Sequence, residues 1–223
     1  MSETIQALIF DFDGLLVDTE TPAYESWVEI YRQHGAKLPR QLYQLDIGTA
    51  GVFDPIGELQ RLTGKVLDEA TILEARQTLK EHMSVEQPLL PGVAAMLQDA
   101  QALGLPIAVA SSSSRRWVEG WLERHAIRSF FHCVVTSDDV AHVKPAPDLF
   151  LGAAACLSIA PAHCLVFEDA PNGMLAAAAA GIRCVAVPGP ITADLTLPPV
   201  AMRLSSLAEL PLRRLLAQLD HEH

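Results

Sequence analysis

The chain has 223 residues, half of them hydrophobic and 19% charged, which is enough to bury a core and too apolar for a disordered segment. Lysine plus arginine is 16 against 27 aspartate plus glutamate, a formal net charge of -11. That balance argues against nucleic acid and anionic membrane surfaces as partners, while a small anionic substrate stays open because a bound cation inverts the local field.

The length fits one compact domain with a sizeable insertion. The first ten residues lack the basic start and apolar run of a secretory signal. No apolar stretch approaches the roughly 18 residues that span a bilayer. A cytoplasmic protein is expected, with a monomer as the default. Cys133, Cys156, Cys164 and Cys184 are scattered among apolar neighbours without a CxxC pair, and they read as buried free thiols.

The first element, residues 5–10, is a short apolar run that stops at Asp11. Its lack of polar alternation suggests a strand buried on both faces, as in a parallel sheet. The next stretch, about 21–87, breaks from strand patterning. Thr21 reads as an N-cap with Pro22 in the first turn, and Gly35 stops that helix. Further helical patterns lie near 40–45, 56–62 and 68–85, so the region reads as a small helical bundle inserted after the first strand. Apolar runs then recur at 105–110, 133–136, 164–167 and 183–187. Helical patterns at 93–103, 114–125, 148–157, 171–180 and 207–219 surround them. Strands alternating with helices predict an α/β fold, a doubly wound parallel sheet with an inserted α-helical cap domain. The expected division is residues 1–17 and 88–223 for the sheet domain and 18–87 for the cap.

Four strand ends carry polar residues. Asp11 and Asp13 follow the first strand. As residues i and i+2 of an extended chain they face one side, where two carboxylates favour a cation between them or a retained proton. Ser111 and Ser112 open a serine cluster ahead of a helix, where hydroxyls and free N–H groups suit a phosphate oxygen. Lys144 sits in a loop stiffened by Pro145 and Pro147. Glu168 and Asp169 end the fourth run, and such hard oxygens suit Mg²⁺. Taken singly these also read as an acidic turn, a helix cap, a solvated lysine and acid at a helix N-terminus. The histidines show no ligand spacing. Trp117 and Trp121, at i and i+4, read as a core-facing helix stripe.

In their order these motifs resemble the haloacid dehalogenase superfamily. They are residues 11–20 (DFDGLLVDTE), Ala110-Ser111, residues 144–148 (KPAPD) and residues 167–173 (FEDAPNG). The resemblance covers nearly the whole chain. The insertion after the first motif looks like the cap of the β-phosphoglucomutase-like group. By resemblance, Asp11 is a nucleophile and Mg²⁺ ligand. Asp13 is the general acid and base, and its backbone carbonyl binds the metal. Ser111 bonds the phosphoryl group, and Lys144 neutralises charge on Asp11 and on that group. Asp169 ligates Mg²⁺, with Glu168 doing so directly or through water.

Asp13 argues against dehalogenation, because a carbon–halogen bond needs no acid for its leaving group. The cap lysines Lys37, Lys65 and Lys80 match no Schiff-base position of the phosphonate-cleaving relatives. Residues 43–57 lack lysine and arginine, which favours net hydrolysis over the mutase chemistry that grips a second phosphate. The expected function is therefore a Mg²⁺-dependent phosphatase of a small phosphorylated metabolite, a sugar phosphate, working through an aspartyl-phosphate. A sugar-phosphate mutase and a non-catalytic phospho-ligand-binding protein are the alternatives. Loop 48–53 reads as a substrate contact through Phe53 or as an ordinary interhelix turn.

Overall fold

The computed structural model describes residues 4–47 and 52–221. Six parallel strands form one sheet: β1 (Ala7–Phe10), β2 (Ile107–Ala110), β3 (Cys133–Val135), β4 (Cys164–Glu168), β5 (Arg183–Ala186) and β6 (Met202–Arg203). Their order across the sheet is β3-β2-β1-β4-β5-β6. Register places Phe10 beside Val109 on one side and Phe167 on the other. The carboxyl ends of β1, β2 and β4 therefore sit side by side at the point where the strand order reverses, the usual ligand crevice of such sheets.

The continuous apolar runs follow from burial on both faces. Leu8 and Phe10 pack with Val93, Met96 and Leu97 of α5 (Val93–Ala102) and with Val118 and Leu122 of α6 (Arg115–Arg124). The same cluster includes Leu212, Leu215 and Leu219 of α9 (Leu212–His221). Ala7 and Ile9 point to the other face, against α7 (Asp148–Leu157) and α8 (Pro171–Ala179). Phe10 stacks on Phe167 with ring centroids 4.8 Å apart. The period-2 alternation of β1 thus serves two cores at once.

Between β1 and α5 come α1 (Glu20–Gln33), α2 (Arg40–Tyr43), α3 (Pro55–Thr63) and α4 (Glu69–Ser84). They gather a third apolar cluster around Trp27, Ile30, Tyr31, Tyr43, Leu59 and Ile72, to which Ala170 and Ile191 of the sheet region also belong. Phe53 packs against this cluster. Residues 48–51 of its loop lie outside the described residues. The two connections to the sheet region run together, with Leu90 N–H donating to Leu16 O at 2.9 Å and Val17 bridged to Leu89.

Several expectations are corrected. The first inserted helix begins at Glu20, with Thr21 inside it. Asp18 Oδ1 accepts the Thr21 N–H at 3.0 Å, while the hydroxyl of Thr19, at the N-cap position, is committed to Asp13. The last helix begins at Leu212 rather than 207, because Pro211 cannot occupy a helix interior without clashing with the carbonyl four residues back. Strand β6 was not anticipated. The thiols are not all free: Cys133 of β3 and Cys156 of α7 form a disulfide, while Cys164 and Cys184 are free and buried. The two bonded cysteines are 23 residues apart in sequence, and packing of α7 on β3 brings their Cα atoms to 6.3 Å. Among the described residues no helix is long and apolar enough to cross a membrane.

Candidate active site

The end of β1 delivers Asp11, 5% exposed, whose N–H still donates to Phe167 O at 3.0 Å. The end of β4 delivers Glu168 and Asp169, both buried. The loop before α7 delivers Lys144, 1% exposed, with its Nζ bonded to Asp11 Oδ1 and lying 2.9 Å from Glu168 Oε1. That ammonium also lies 4.9 Å from the Phe150 ring centroid. A lone lysine in sequence is thus the buried counter-ion of two carboxylates.

Two glycines are required by this packing. Gly14 has φ +79, and a Cβ there would lie 2.5 Å from Asp169 Oδ2. A Cβ on Gly173, at the start of α8, would overlap Glu168 Oε1. Glu168 Oε2 accepts the Ala170 N–H at 2.8 Å, so the helix start both makes room for this carboxylate and holds it.

Asp11, Glu168 and Asp169 each place a carboxylate oxygen within 4.8 Å of the others, all buried. Burial raises Asp11 well above the usual carboxylate range; Lys144 opposes this, and Glu168 and Asp13 add to it. Burial, then Glu168, Asp11 and Glu20, raise Asp169 in the same way. Burial alone would lower Lys144, but Asp11 and Glu168 more than offset it and drive it above the ordinary lysine value. Three buried acids share one buried ammonium. A hard divalent cation with oxygen preference fits that deficit.

The side chain of Asp13 is not part of this trio. Its Oδ1 accepts from Thr19 Oγ1 at 2.7 Å and from Trp117 Nε1 at 2.8 Å. Its Oδ2 accepts from Ser113 Oγ at 2.6 Å and from Ser111 Oγ at 3.2 Å. Ser111, at the end of β2, is held by its N–H to Val135 O at 3.0 Å and accepts the Ser113 N–H at 3.0 Å.

These residues line one cavity of about 420 Å³. Asp11, Asp13, Ser111, Ser112, Lys144 and Asp169 line it from the sheet region. Glu20, Trp27, Tyr43, Arg76 and Lys80 line it from the helical insertion. Sequence reasoning sought insertion cations in residues 43–57; they come instead from α4, one turn apart. The Arg76 guanidinium lies 5.4 Å from the Trp27 centroid, and its buried Nε has no hydrogen-bond partner among the described residues. Burial lowers both Arg76 and Lys80 from their ordinary values. Burial, with Asp13 adding to it, pushes Glu20 up to about 7. Thr192, whose Oγ1 lies 3.3 Å from Asp169 Oδ2, and Trp117 were also missed. For Trp117 the only sequence signal was its place in a serine-led helix beside the second motif.

A family model for haloacid dehalogenase-like hydrolases matches residues 8–187. YhcW of Bacillus subtilis strain 168 is 42% identical over 219 residues, 98% of this chain and all of that one. The fructose-1-phosphate phosphatase YqaB of Escherichia coli K12 is 31% identical over 199 residues, 84% of this chain and 98% of that one. A mutant of CbbY from Rhodobacter sphaeroides, solved in complex with xylulose-(1,5)bisphosphate, superposes with a TM-score of 0.75 at 29% identity. That alignment covers 93% of this chain and 96% of CbbY. With β1, β2, the Lys144 loop and β4 converging on one acidic crevice, and the family model spanning those elements, the chain belongs to the haloacid dehalogenase-like hydrolases.

Proposed function

We propose that this enzyme, a phosphoric monoester hydrolase, is a Mg²⁺-dependent phosphatase of a small phosphorylated sugar that carries a second anionic group. The observation that carries this reading is the cavity itself. A carboxylate paired with a buried lysine faces it from β1, and two cations, Arg76 and Lys80, line it from α4. Two cations on one wall of a cavity otherwise rich in carboxylates suit an anionic group of the substrate. YqaB is named for a sugar phosphate, fructose 1-phosphate, and the CbbY mutant was solved with a sugar bisphosphate.

In the proposed cycle an Asp11 carboxylate oxygen attacks phosphorus, and the bond from phosphorus to the sugar oxygen breaks. Asp13 gives that oxygen its proton. Water then attacks the aspartyl-phosphate, Asp13 takes back a proton, and inorganic phosphate leaves with Asp11 restored. Ser111 and Lys144 hold the phosphoryl oxygens, and Lys144 offsets charge on Asp11. Asp11, Glu168, Asp169 and the Asp13 carbonyl would hold Mg²⁺, which when bound supplies charge neutralisation at the phosphoryl group. Residues 18–87 act as a cap over a core of 1–17 and 88–223. Phe53 and Ser112 add substrate contacts.

The test is phosphate release from a panel of sugar mono- and bisphosphates. Activity is expected to vanish in EDTA, return with Mg²⁺ and favour substrates with a second anionic group. Full turnover in EDTA refutes the metal reading. Equal rates with and without the second anion refute the role of α4. Turnover that requires a bisphosphate activator and yields an isomer instead of phosphate would make the protein a mutase.

A further inference from the structure

We infer that Trp117 is a positioning residue for Asp13: its indole N–H fixes one carboxyl oxygen as an acceptor, leaves the other to carry the proton, and ties this carboxyl through Lys80 to α4. The inference rests on the acid–base role proposed for Asp13.

An indole N–H can only donate. It lies 2.8 Å from Asp13 Oδ1, so a proton on that oxygen could not point at the indole and would weaken the hydrogen bond the oxygen accepts. Thr19 Oγ1 approaches the same oxygen at 2.7 Å. Oδ2 instead meets only the hydroxyls of Ser113 and Ser111, which can turn to accept as readily as to donate. Oδ2 is also the oxygen beside Ser111, the residue assigned to the phosphoryl group. The indole thus selects the oxygen nearest the chemistry as the one able to carry a transferable proton.

The ring is itself held from two sides. Trp121, 6% exposed, meets it edge-on with centroids 5.7 Å apart and planes at 71°. Lys80 Nζ lies 4.1 Å from its centroid, within cation–π range. Lys80 belongs to α4 and Trp117 to α6, so one indole joins the insertion, the sheet region and the acid–base carboxyl. A core stripe would have sufficed with phenylalanine at 117; a nitrogen reaching into the site does not follow from packing.

The experiment compares wild type, Asp13→Asn, Trp117→Phe and Lys80→Met, using p-nitrophenyl phosphate, whose leaving group needs little protonation, and β-glycerophosphate, whose alkoxide needs a proton. In kcat/KM, which reads the steps through phosphoryl transfer to Asp11 and not the later hydrolysis common to both substrates, Asp13→Asn is expected to lose about a hundredfold more on the alkyl substrate than on the aryl one. Trp117→Phe should lower kcat/KM on the alkyl substrate about tenfold, the loss of one hydrogen bond. Its aryl kcat/KM should stay within about twofold. The Trp117 indole N–H resonance, assigned by its loss in Trp117→Phe, should move in both Asp13→Asn and Lys80→Met.

If Asp13→Asn shows the leaving-group bias and Trp117→Phe does not, the inference falls and the acid–base reading stands. If Asp13→Asn shows no bias, the acid–base reading falls and takes the inference with it. An indole resonance unmoved in Asp13→Asn overturns the hydrogen bond. An indole resonance unmoved in Lys80→Met overturns the tie to α4. Trp117 is half-buried and phenylalanine keeps a ring under Lys80, so folding should survive; if it does not, the resonance is assigned by exclusion from Trp27→Phe and Trp121→Phe, the other two tryptophans, and its shift in Asp13→Asn decides.

Discussion

Replacing Lys144 by methionine should expose how much of this fold is balanced on one ammonium. Methionine nearly fills the space of lysine and keeps a contact with Phe150, so the change is chiefly one of charge. The lysine pairs with both Asp11 and Glu168 and is 1% exposed, so water does not screen the loss. Breaking a buried pair by removing one partner costs about 3–5 kcal/mol. A domain of this size loses about 2–4 °C of Tm per kcal/mol, so the midpoint should fall by roughly 6–20 °C at pH 8 in EDTA. The penalty has a definite sign with pH. Asp11 and Asp169 already titrate well above the usual range in the fold, and losing the cation raises Asp11 further. An acid with a raised folded value destabilises the fold at high pH and ceases to do so as it takes up its proton. The deficit should therefore shrink at pH 5.5, and Mg²⁺ should restore part of it at pH 8 through binding to the folded state. Calorimetry or circular dichroism melts read both. A Tm within about 2 °C of wild type in EDTA at pH 8, or a deficit that grows on acidification, would refute the reasoning.

Asp11→Asn should reduce turnover by roughly a thousandfold or more while leaving the melt near wild type, since an amide oxygen still accepts from Lys144 and one repelling charge is gone. Arg76→Ala should raise KM about tenfold for a sugar bisphosphate and leave p-nitrophenyl phosphate nearly unaffected, as measured by paired steady-state curves. Gly173→Ala should displace Glu168 and cost about 1–3 kcal/mol in denaturant unfolding; an unchanged midpoint would mean that α8 shifts freely.

The five longer strands were legible because each is an apolar run buried on both faces and stopped by Asp, Ser, Thr, Glu or Pro. A two-residue strand such as β6 has no period to read. Asp11, Ser111, Glu168 and Asp169 were legible because strand ends in a parallel sheet face one crevice whatever the side chains beyond them do, whereas Lys144, in the loop before α7, was legible only through the resemblance of its KPAPD motif. Arg76, Lys80 and Trp117 were not, because a helix face acquires a direction only when α4 and α6 pack against their neighbours. Trp117 and Trp121 share one spacing, yet only the second is buried in the core. Thr21 misled the placement of α1 for a related reason: the N-cap position falls at Thr19, whose hydroxyl serves Asp13, and Asp18 accepts the Thr21 N–H in the first turn.

Glu20 offers the last prediction, and its placement sets two effects against each other. It is the first residue of α1, where the helix dipole favours a negative charge. Yet burial, with Asp13 adding to it, raises it from 4.5 to about 7 against the pull of Lys80 and Arg76, so desolvation and repulsion win. Below pH 4.5 the folded and unfolded chains both hold the proton and no penalty exists. Between 4.5 and about 7 the unfolded chain ionises first, and stability falls with pH. Above that window the full cost applies, about 3.5 kcal/mol from 2.5 pH units at about 1.4 kcal/mol each, lowered to about 1–3 by water in the open cavity. Glu20→Gln should therefore melt higher than wild type at pH 8, by roughly 2–12 °C, and equal to it near pH 4.5. Equal melts at pH 8 would mean that the carboxylate is already compensated by α4, and a gain of the same size at both pH values would mean that the amide stabilises by packing and not by removing charge. If the gain follows pH as argued, Glu20 is a residue the fold would be more stable without. Its retention then belongs with the cations of α4: a carboxylate beside Arg76 and Lys80 favours their charged forms, which burial opposes.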